Sequence, residues 1–332
     1  MKKYFLLPFL CFFSLAIAQE KYVLVLHGGA GTITKQNMTP EKEVAYKAKL
    51  SEALKAGYNQ IEKGESAVKA VEAAIEILED SPLFNAGKGA VFTAEGKNEM
   101  DAAIMQSKNL EAGAVAGVTT IKNPIKAAIA VMQTSPHVLL VGKGAETFAA
   151  EQKLEIVSPD YFYTKDRYQS LQKFLKKNEN KKSTSSTPKP SFLEVDYKFG
   201  TVGAVALDKD GNLAAGTSTG GMTGKKWNRV GDSPLIGAGT YANQWVGVSG
   251  TGWGEYFIRT TAARTLAAKM QYQGKDIQTA GSEVIAEIEA LGGDGGLIAL
   301  DKNGNVAMPF NTAGMYRGTV TRDGKIEVQI YR

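Results

Sequence analysis

Cysteine and histidine are nearly missing from this sequence. In 332 residues there is one cysteine, Cys11, and there are two histidines, His27 and His137. Cys11 falls inside the N-terminal stretch MKKYFLLPFLCFFSLAIAQE. That stretch has the three parts of a secretory leader: Lys2 and Lys3, the apolar run Tyr4 to Leu15, and the small-residue site Ala16-Ile17-Ala18 ahead of Gln19. The residues before Cys11 are too bulky for a lipoprotein signal, and the run is short of the roughly 20 residues that span a bilayer. The expectation is a leader over 1–18, removed to leave a secreted or periplasmic protein with no membrane anchor. Its mature chain then contains no cysteine, which excludes disulfides, thiolate catalysis and cysteine-ligated zinc. Two histidines are too few for a zinc site of the usual kind.

A strong charge bias is also lacking. The formal net charge is +5, and much of it sits in one basic stretch near residues 173–198, so it gives little support for nucleic-acid binding. With 43% hydrophobic and 22% charged residues the composition is that of a globular protein, and the length is enough to bury a core without staples.

What is present is a run of apolar segments punctuated by glycine. Tyr22 to Leu26 reads as a buried strand running into a loop, HGGAGTI (27–33). Apolar spacings of three and four predict helices over about 41–62 and 66–79. A glycine-rich turn at Asn85 to Gly89 precedes short strands to about residue 119, and helices are expected over 124–134, 142–153 and 164–177. Residues 178–190, NENKKSTSSTPKP, are polar and almost free of apolar side chains, the composition of a flexible linker. Two similar segments, 205–214 and 298–307, each place an Asp/Asn/Gly turn between apolar runs, which is a hairpin pattern. Neither turn has the further oxygen ligands of a calcium loop. Helices near 254–269 and 276–290 separate them. Strands interleaved with helix pairs suggest stacked sheets with helices outside.

Two tempting motifs fail. Gly216-Thr-Ser218-Thr-Gly220 matches the nucleophile-elbow pattern, but no histidine follows His137 to serve as the base. Gly237-Ala-Gly239-Thr-Tyr-Ala242 loosely matches a dinucleotide fingerprint, yet the required strand–turn–helix surroundings are missing and a turn between strands explains its glycines equally well.

Gly200-Thr201 is different. It follows the linker and opens the apolar run Val202 to Leu207. If the bond before Thr201 were cut, the threonine would gain an α-amine with a reference pKa of about 7.7–8.0, able to take the proton of its own hydroxyl. Read locally, however, Thr201 is more simply a β-branched residue starting a strand.

Longer stretches change that balance. HGGAGTI (27–33), PLFNAGKGAVFT (82–93), DAAIM (101–105), GTVGAVALD (200–208), GTSTGGMTGKKWNRVGDSPLIGAGTYA (216–242), SGTGWGEYFIR (249–259) and GGDGGLIALD (292–301) occur in one order. From His27 onward the sequence resembles the plant-type asparaginase and isoaspartyl peptidase family of N-terminal-nucleophile hydrolases. The resemblance implies a four-layer αββα fold with two antiparallel sheets between helices. It implies cleavage between Gly200 and Thr201 into chains 19–200 (with a linker over 178–195) and 201–332, which together form one globular domain. It also implies a homodimer of cleaved protomers.

For the site, the resemblance implies Thr201 as nucleophile, Thr219 hydrogen-bonded to it across a hairpin, and Asn85 beside the scissile bond, assisting self-cleavage. Thr251 and Gly252 become oxyanion stabilisers, and Gly254 lies in the same substrate-binding turn. Arg229 and Asp232 become the clamp for the α-carboxylate and α-ammonium of the substrate. A guanidinium fork suits a carboxylate and an acid suits an ammonium, although without the surrounding match the two read as a surface pair flanking a turn. No organic cofactor is implied. A structural sodium ion is, held by the backbone carbonyls of Leu78, Glu79, Ser81, Phe84, Ala86 and Lys88. The activity implied is hydrolysis of β-aspartyl dipeptides and L-asparagine. Two alternatives stand beside it: a glycosylasparaginase, disfavoured because its relatives usually carry asparagine at the third position of Ser218-Thr-Gly-Gly221, and a non-catalytic periplasmic binding protein. Trp253, at a variable position of the substrate-binding turn, has the bulk to reshape the leaving-group side.

Overall fold

The computed structural model describes residues 22–182 and 200–332. In chain order the first segment forms β1 (Tyr22–Gly31), α1 (Pro40–Glu62), α2 (Ala67–Glu79), β2 (Met100–Gln106), β3 (Ala112–Val118), α3 (Pro124–Thr134), β4 (Leu139–Val141), α4 (Gly142–Glu151) and α5 (Lys165–Lys182). The second forms β5 (Val202–Leu207), β6 (Leu213–Thr219), β7 (Thr240–Ala242), β8 (Val246–Gly252) and the helices α6 (Gly254–Thr260), α7 (Ala262–Gln273) and α8 (Ile277–Ala290). It closes with β9 (Gly295–Asp301), β10 (Val306–Ala307), β11 (Gly314–Thr321) and β12 (Ile326–Tyr331).

These strands make an eight-stranded sheet, ordered β12-β11-β1-β5-β6-β2-β3-β4, and a four-stranded sheet, ordered β10-β9-β8-β7. All pairings are antiparallel except β3 with β4. The sheets lie face to face between two helical layers, an αββα sandwich with three apolar layers. Leu24, Leu26, Val202, Ala204 and Ala206 pack toward α1 and α2. Val25, Val205, Leu207, Leu213 and Ala215 fill the gap between the sheets. Val246, Val248, Leu297 and Ala299 pack under α7 and α8. Because central strands are buried on both faces, they read as near-continuous apolar runs. The period of two still assigns each residue to a layer: odd positions of β5 and β6 face the gap between the sheets, as does Val25 of β1, where register shifts at both ends of the strand send Val23 to the helix side and Ala30 into the gap.

Local chemistry sets the helix starts. Thr39 and Ser66 accept from Lys42 and Lys69 backbone N–H groups, and Asp276 accepts from those of Gln278 and Thr279. The hairpin turns are built by Asp208 and Asp301. Each accepts the backbone N–H groups two and four residues onward, so these carboxylates serve their own turns.

Three boundaries differ from expectation. HGGAG continues as strand to Gly31, paired with β11, where a loop was expected. Its glycine at 28 makes room and does not turn the chain, since a Cβ there would lie 2.5 Å from the Phe84 ring. The helix expected over 254–269 is two helices, broken at Thr261, which is left-handed at φ 45°. Residues 178–182, assigned to the linker, extend α5. The remainder of the linker, the leader over 1–18 and the new terminus at Gln19 lie outside the described residues.

Candidate active site

The gap between the sheets is apolar over most of its extent, but at one end it is lined by hydroxyls. Thr201 precedes β5, and Thr217 and Thr219 follow at the end of β6, with Val202 opposite Ser218 in the ladder. The alternation that sends Val205 and Ala215 into the gap sends Thr201, Thr217 and Thr219 there also. Thr201 is buried, and its Oγ lies 3.0 Å from Thr219 Oγ. Gly221 N–H donates to Thr219 Oγ at 3.0 Å, leaving the Thr219 proton free to go to Thr201.

Asn85 joins this group from the turn after α2. Its backbone N–H donates to the carbonyl oxygen of Gly200 at 3.0 Å. Both ends of its side chain are engaged: Nδ2 donates to Gly221 O at 2.7 Å, and Oδ1 accepts from Val91 N–H at 2.9 Å. Gly200 is backed directly onto Asn85, because a Cβ on Gly200 would lie 2.8 Å from the Cβ of Asn85.

Arg229 and Asp232 form a second group. They are not paired with each other as a surface turn would have them. Arg229 forks onto Glu255, with Nε and Nη2 at 2.9 and 2.8 Å from the two carboxylate oxygens. Against the upward push of burial, that fork holds Glu255 below the ordinary carboxylate range. Asp232 is buried, and its Oδ2 has no hydrogen-bond partner among the described residues. Burial raises its pKa to about 6 despite the attraction of Arg229. Both head groups converge on Gly254, where a Cβ would sit 2.7 Å from Asp232 Oδ1 and 2.8 Å from Arg229 Nη2. Only a glycine leaves that space open. Trp227 and Asn228, just before Arg229, are both left-handed at φ 57° and 53°, backbone strain of the kind that collects at functional sites.

Thr251 is buried at the end of β8, where Ala30 N–H approaches its Oγ at 3.4 Å. Gly252 follows at φ 147°, packed so closely on Gly295 that a Cβ would come within 2.5 Å of its Cα. Trp253 donates its N–H to Asp294 O at 2.9 Å and stacks edge-on to Tyr256 at 5.1 Å.

Ser218, the elbow serine, points the other way. Its hydroxyl donates to Glu79 at 2.6 Å on the helix side of the sheet. Burial pushes Glu79 up to about 8, and Ile125 N–H also donates to it at 3.0 Å. In the neighbouring loop, Leu78 O accepts from Ser81 N–H and Ala86 O from Gly89 N–H. The carbonyls of Glu79 and Phe84 are wrapped tightly, 2.4 and 2.0 Å from where Cβ atoms on Gly87 and Gly89 would be. Ser81 Oγ accepts from Leu83 N–H, and Lys88 Nζ donates to Tyr161 O.

Several residues in this region were not singled out from the sequence. Asp101 lies opposite Thr219 in the β2–β6 ladder and is wholly buried, with Lys225 buried nearby. Burial raises the Asp101 pKa and lowers that of Lys225, while each charge favours the other. His27 is buried, with Nδ1 3.0 Å from Thr201 O and Nε2 2.9 Å from Ser249 Oγ. Glu255 had a usable signal, an acid directly after the Gly254 turn. His27 had one too, as one of only two histidines. Ser249, Thr217 and Thr240 had none, because their grouping depends on three separate strands.

Comparison with known proteins gives the family of the chain. The family model described as Asparaginase matches residues 20–330. The chain is 52% identical to an isoaspartyl peptidase of Salmonella typhimurium, over 90% of this chain and 95% of the relative. It is 52% identical to an isoaspartyl peptidase of Escherichia coli, over 90% and 92%. It is 44% identical to a plant-type L-asparaginase of Pyrococcus abyssi, over 88% and 94%.

Proposed function

The chain belongs to the asparaginase family and is a hydrolase, and from that premise we propose that it cuts itself before Thr201 and then hydrolyses β-aspartyl peptide bonds and the side-chain amide of L-asparagine. The observation that carries this reading is the placing of Thr201 Oγ against Thr219 Oγ beside a Gly200 carbonyl already held by Asn85 N–H.

In the intact chain, Thr201 Oγ attacks the Gly200 carbonyl carbon, and the Asn85 N–H receives the developing oxyanion. The C–N bond breaks, the threonine nitrogen takes the hydroxyl proton and becomes the α-amine, and an ester joins Gly200 to Oγ. Water hydrolyses the ester, leaving a carboxylate on Gly200 and a free Thr201. That amine is now the base for its own hydroxyl. Arg229 takes the α-carboxylate of the substrate and the Asp232 carboxylate its ammonium. Oγ attacks the β-carbonyl, Thr251 and the Gly252 backbone stabilise the oxyanion, and the amine returns the proton to the leaving nitrogen. Water then releases L-aspartate. The leaving group points away from the clamp and is weakly specified.

Denatured intact mass of the wild type and of Thr201→Ala tests this reading. Two fragments meeting at Gly200/Thr201 in the wild type and one uncut chain in the variant are expected; an uncut wild type after long incubation overturns it. Cleavage of a glycosylated asparagine faster than of a β-aspartyl dipeptide would instead select the glycosylasparaginase activity.

Three accompanying proposals have separate tests. Backbone carbonyls of the loop 78–88, oxygen ligands that suit a hard monovalent cation such as sodium, hold one for structure; replacing sodium by tetramethylammonium should lower the thermal midpoint. Cleaved protomers pair into a homodimer, read by sedimentation. The leader over 1–18 takes the protein to a secreted or periplasmic location, read as a mature N-terminus at Gln19. Among the described residues no helix is long and apolar enough to cross a membrane.

A further inference from the structure

His27 has no part in the chemistry above, yet it is wholly buried and touches the Thr201 backbone. Its surroundings determine its protonation by proton counting. Nδ1 faces the carbonyl oxygen of Thr201 at 3.0 Å, and a carbonyl only accepts, so Nδ1 carries the hydrogen. Burial away from water lowers the pKa of this imidazole to about 3, so the ring is neutral and Nε2 is a lone-pair acceptor.

The contact of Nε2 with Ser249 Oγ at 2.9 Å therefore uses the Ser249 proton. The 2.7 Å contact between Ser249 and Thr217 must then use the Thr217 proton. The 2.7 Å contact between Thr217 and Thr240 must in turn use the Thr240 proton. Each hydroxyl has one proton, so the chain runs one way, Thr240 to Thr217 to Ser249 to His27. Distances support that direction. The three contacts it uses are 2.7, 2.7 and 2.9 Å, and the competing ones, Thr217 to Gly239 O and Thr240 to Ser233 O, are longer at 3.2 and 3.0 Å. Gly239 O accepts Gly250 N–H at 2.8 Å in any case.

The fold keeps room for this chain. Gly203 lies opposite His27 in the β1–β5 ladder, and a Cβ on it would fall 2.0 Å from Ser249 Oγ and 2.5 Å from His27 Nε2. The glycine two residues after the threonine is thus where the imidazole–serine hydrogen bond sits.

We propose that His27 is a positioning residue for Thr201: the hydroxyl chain from Thr240 through Thr217 and Ser249 holds it as the Nδ1–H tautomer, and that N–H fixes the Thr201 carbonyl. This rests on Thr201 being the nucleophile. Fixing the carbonyl fixes rotation about the same Cα that carries the amine and the Oγ-bearing side chain. Base and nucleophile are therefore held in register with each other. Loss of the hold misaims the attacking atom without touching the Arg229–Asp232 clamp, so it lowers kcat and leaves KM in place.

The chain has two histidines, so a tag-free full-length protein labelled with ¹⁵N-histidine gives two imidazoles, and a His137→Gln variant assigns them. At neutral pH, His27 should show a proton on Nδ1 and none on Nε2. A proton on Nε2, or on both nitrogens, overturns the proposal on the wild-type protein alone. In kinetics, Ser249→Ala should lower kcat roughly ten- to a hundredfold with KM within about twofold, and Ser249→Thr should restore most of it. His27→Asn, which keeps an N–H near the Nδ1 position, should exceed His27→Ala in kcat by about tenfold. Wild-type kcat in Ser249→Ala, or a change confined to KM, overturns the positioning role. A Thr201→Ala variant that still turns over substrate overturns the nucleophile reading and leaves the tautomer result standing, so the two failures are distinguishable.

Discussion

The backbone nitrogen of Asn85 and the carbonyl oxygen of Gly200 are 3.0 Å apart, so the carbonyl that the proposed self-cleavage would attack is polarised before any reaction begins. Gly200 is pressed against Asn85 to make this contact, with 2.8 Å between the Asn85 Cβ and where a Cβ on Gly200 would be. Gly200→Ala should push the scissile carbonyl off the N–H and slow self-cleavage by about a hundredfold. A time course of denatured mass reads this; cutting at the wild-type rate would show that the contact is incidental.

Thr219 presents a hydroxyl to Thr201 and also accepts the Gly221 N–H. Thr219→Val keeps the shape and removes the donor. It should lower kcat roughly a hundredfold for protein that has already been cut, with little change in KM. Thr219→Ser should keep most of the activity. Equal rates for Val and Ser would remove Thr219 from the reaction.

The Arg229 fork on Glu255 sets the angle at which the guanidinium meets a carboxylate. Arg229→Lys keeps the charge and loses the fork. The loss should be about 2 kcal/mol of charge-assisted hydrogen bonding, or roughly thirtyfold in KM. Glu255→Gln keeps the shape and part of the contact, so its KM should rise less. If Glu255→Gln binds substrate more tightly than the wild type, Glu255 competes with the ligand and does not hold the arginine for it.

Asp232 must be ionised to take an ammonium, and burial has raised its pKa to about 6. Inhibition by L-aspartate should weaken as the pH falls through about 6, with the inhibition constant about tenfold higher at pH 5 than at pH 7.5. Linkage to folding runs the opposite way with pH. The folded state holds this proton more tightly than the unfolded chain, so the shift contributes stability that is complete below about 3.8 and lost as the pH rises through about 6. Asp232→Asn should bind weakly with a flat profile. A profile that persists in the variant assigns the titration to another group.

Thr261, left-handed at φ 45° between α6 and α7, is exposed and β-branched, an unfavourable residue for that conformation. Thr261→Gly should stabilise the protein by about 1 kcal/mol, a rise of roughly 2–4 °C in Tm. A fall in Tm would mean that its contact with Thr265 Oγ outweighs the strain.

The helices over 41–62, 66–79 and 124–134 and the two hairpins could be read in advance because each depends on local periodicity and turn chemistry, whereas the αββα class came from the family resemblance. The break at Thr261 could not be. Apolar spacing runs on through it, and the left-handed residue is imposed where Ala263 and Arg264 N–H groups bond to Ala238 and Gly237 carbonyls. The extra strand at HGGAG was hidden for a related reason. Glycines that signal a turn by composition serve here to admit Phe84 and Tyr316.

The same division runs through the site. Residue types, their order along the chain and the pattern of two that turns Thr217 and Thr219 to one face of their strand belong to the sequence, because they follow from backbone geometry within single segments. The partners of those residues were decided by tertiary structure. Glu255 rather than Asp232 on Arg229, Glu79 on Ser218, Asn85 N–H on Gly200 O, and His27 between Thr201 and Ser249 all join residues far apart in the chain. Such pairings arise only when sheets, helices and turns pack together and exclude water. Each buried donor or acceptor must then find a partner among whatever the opposing element presents.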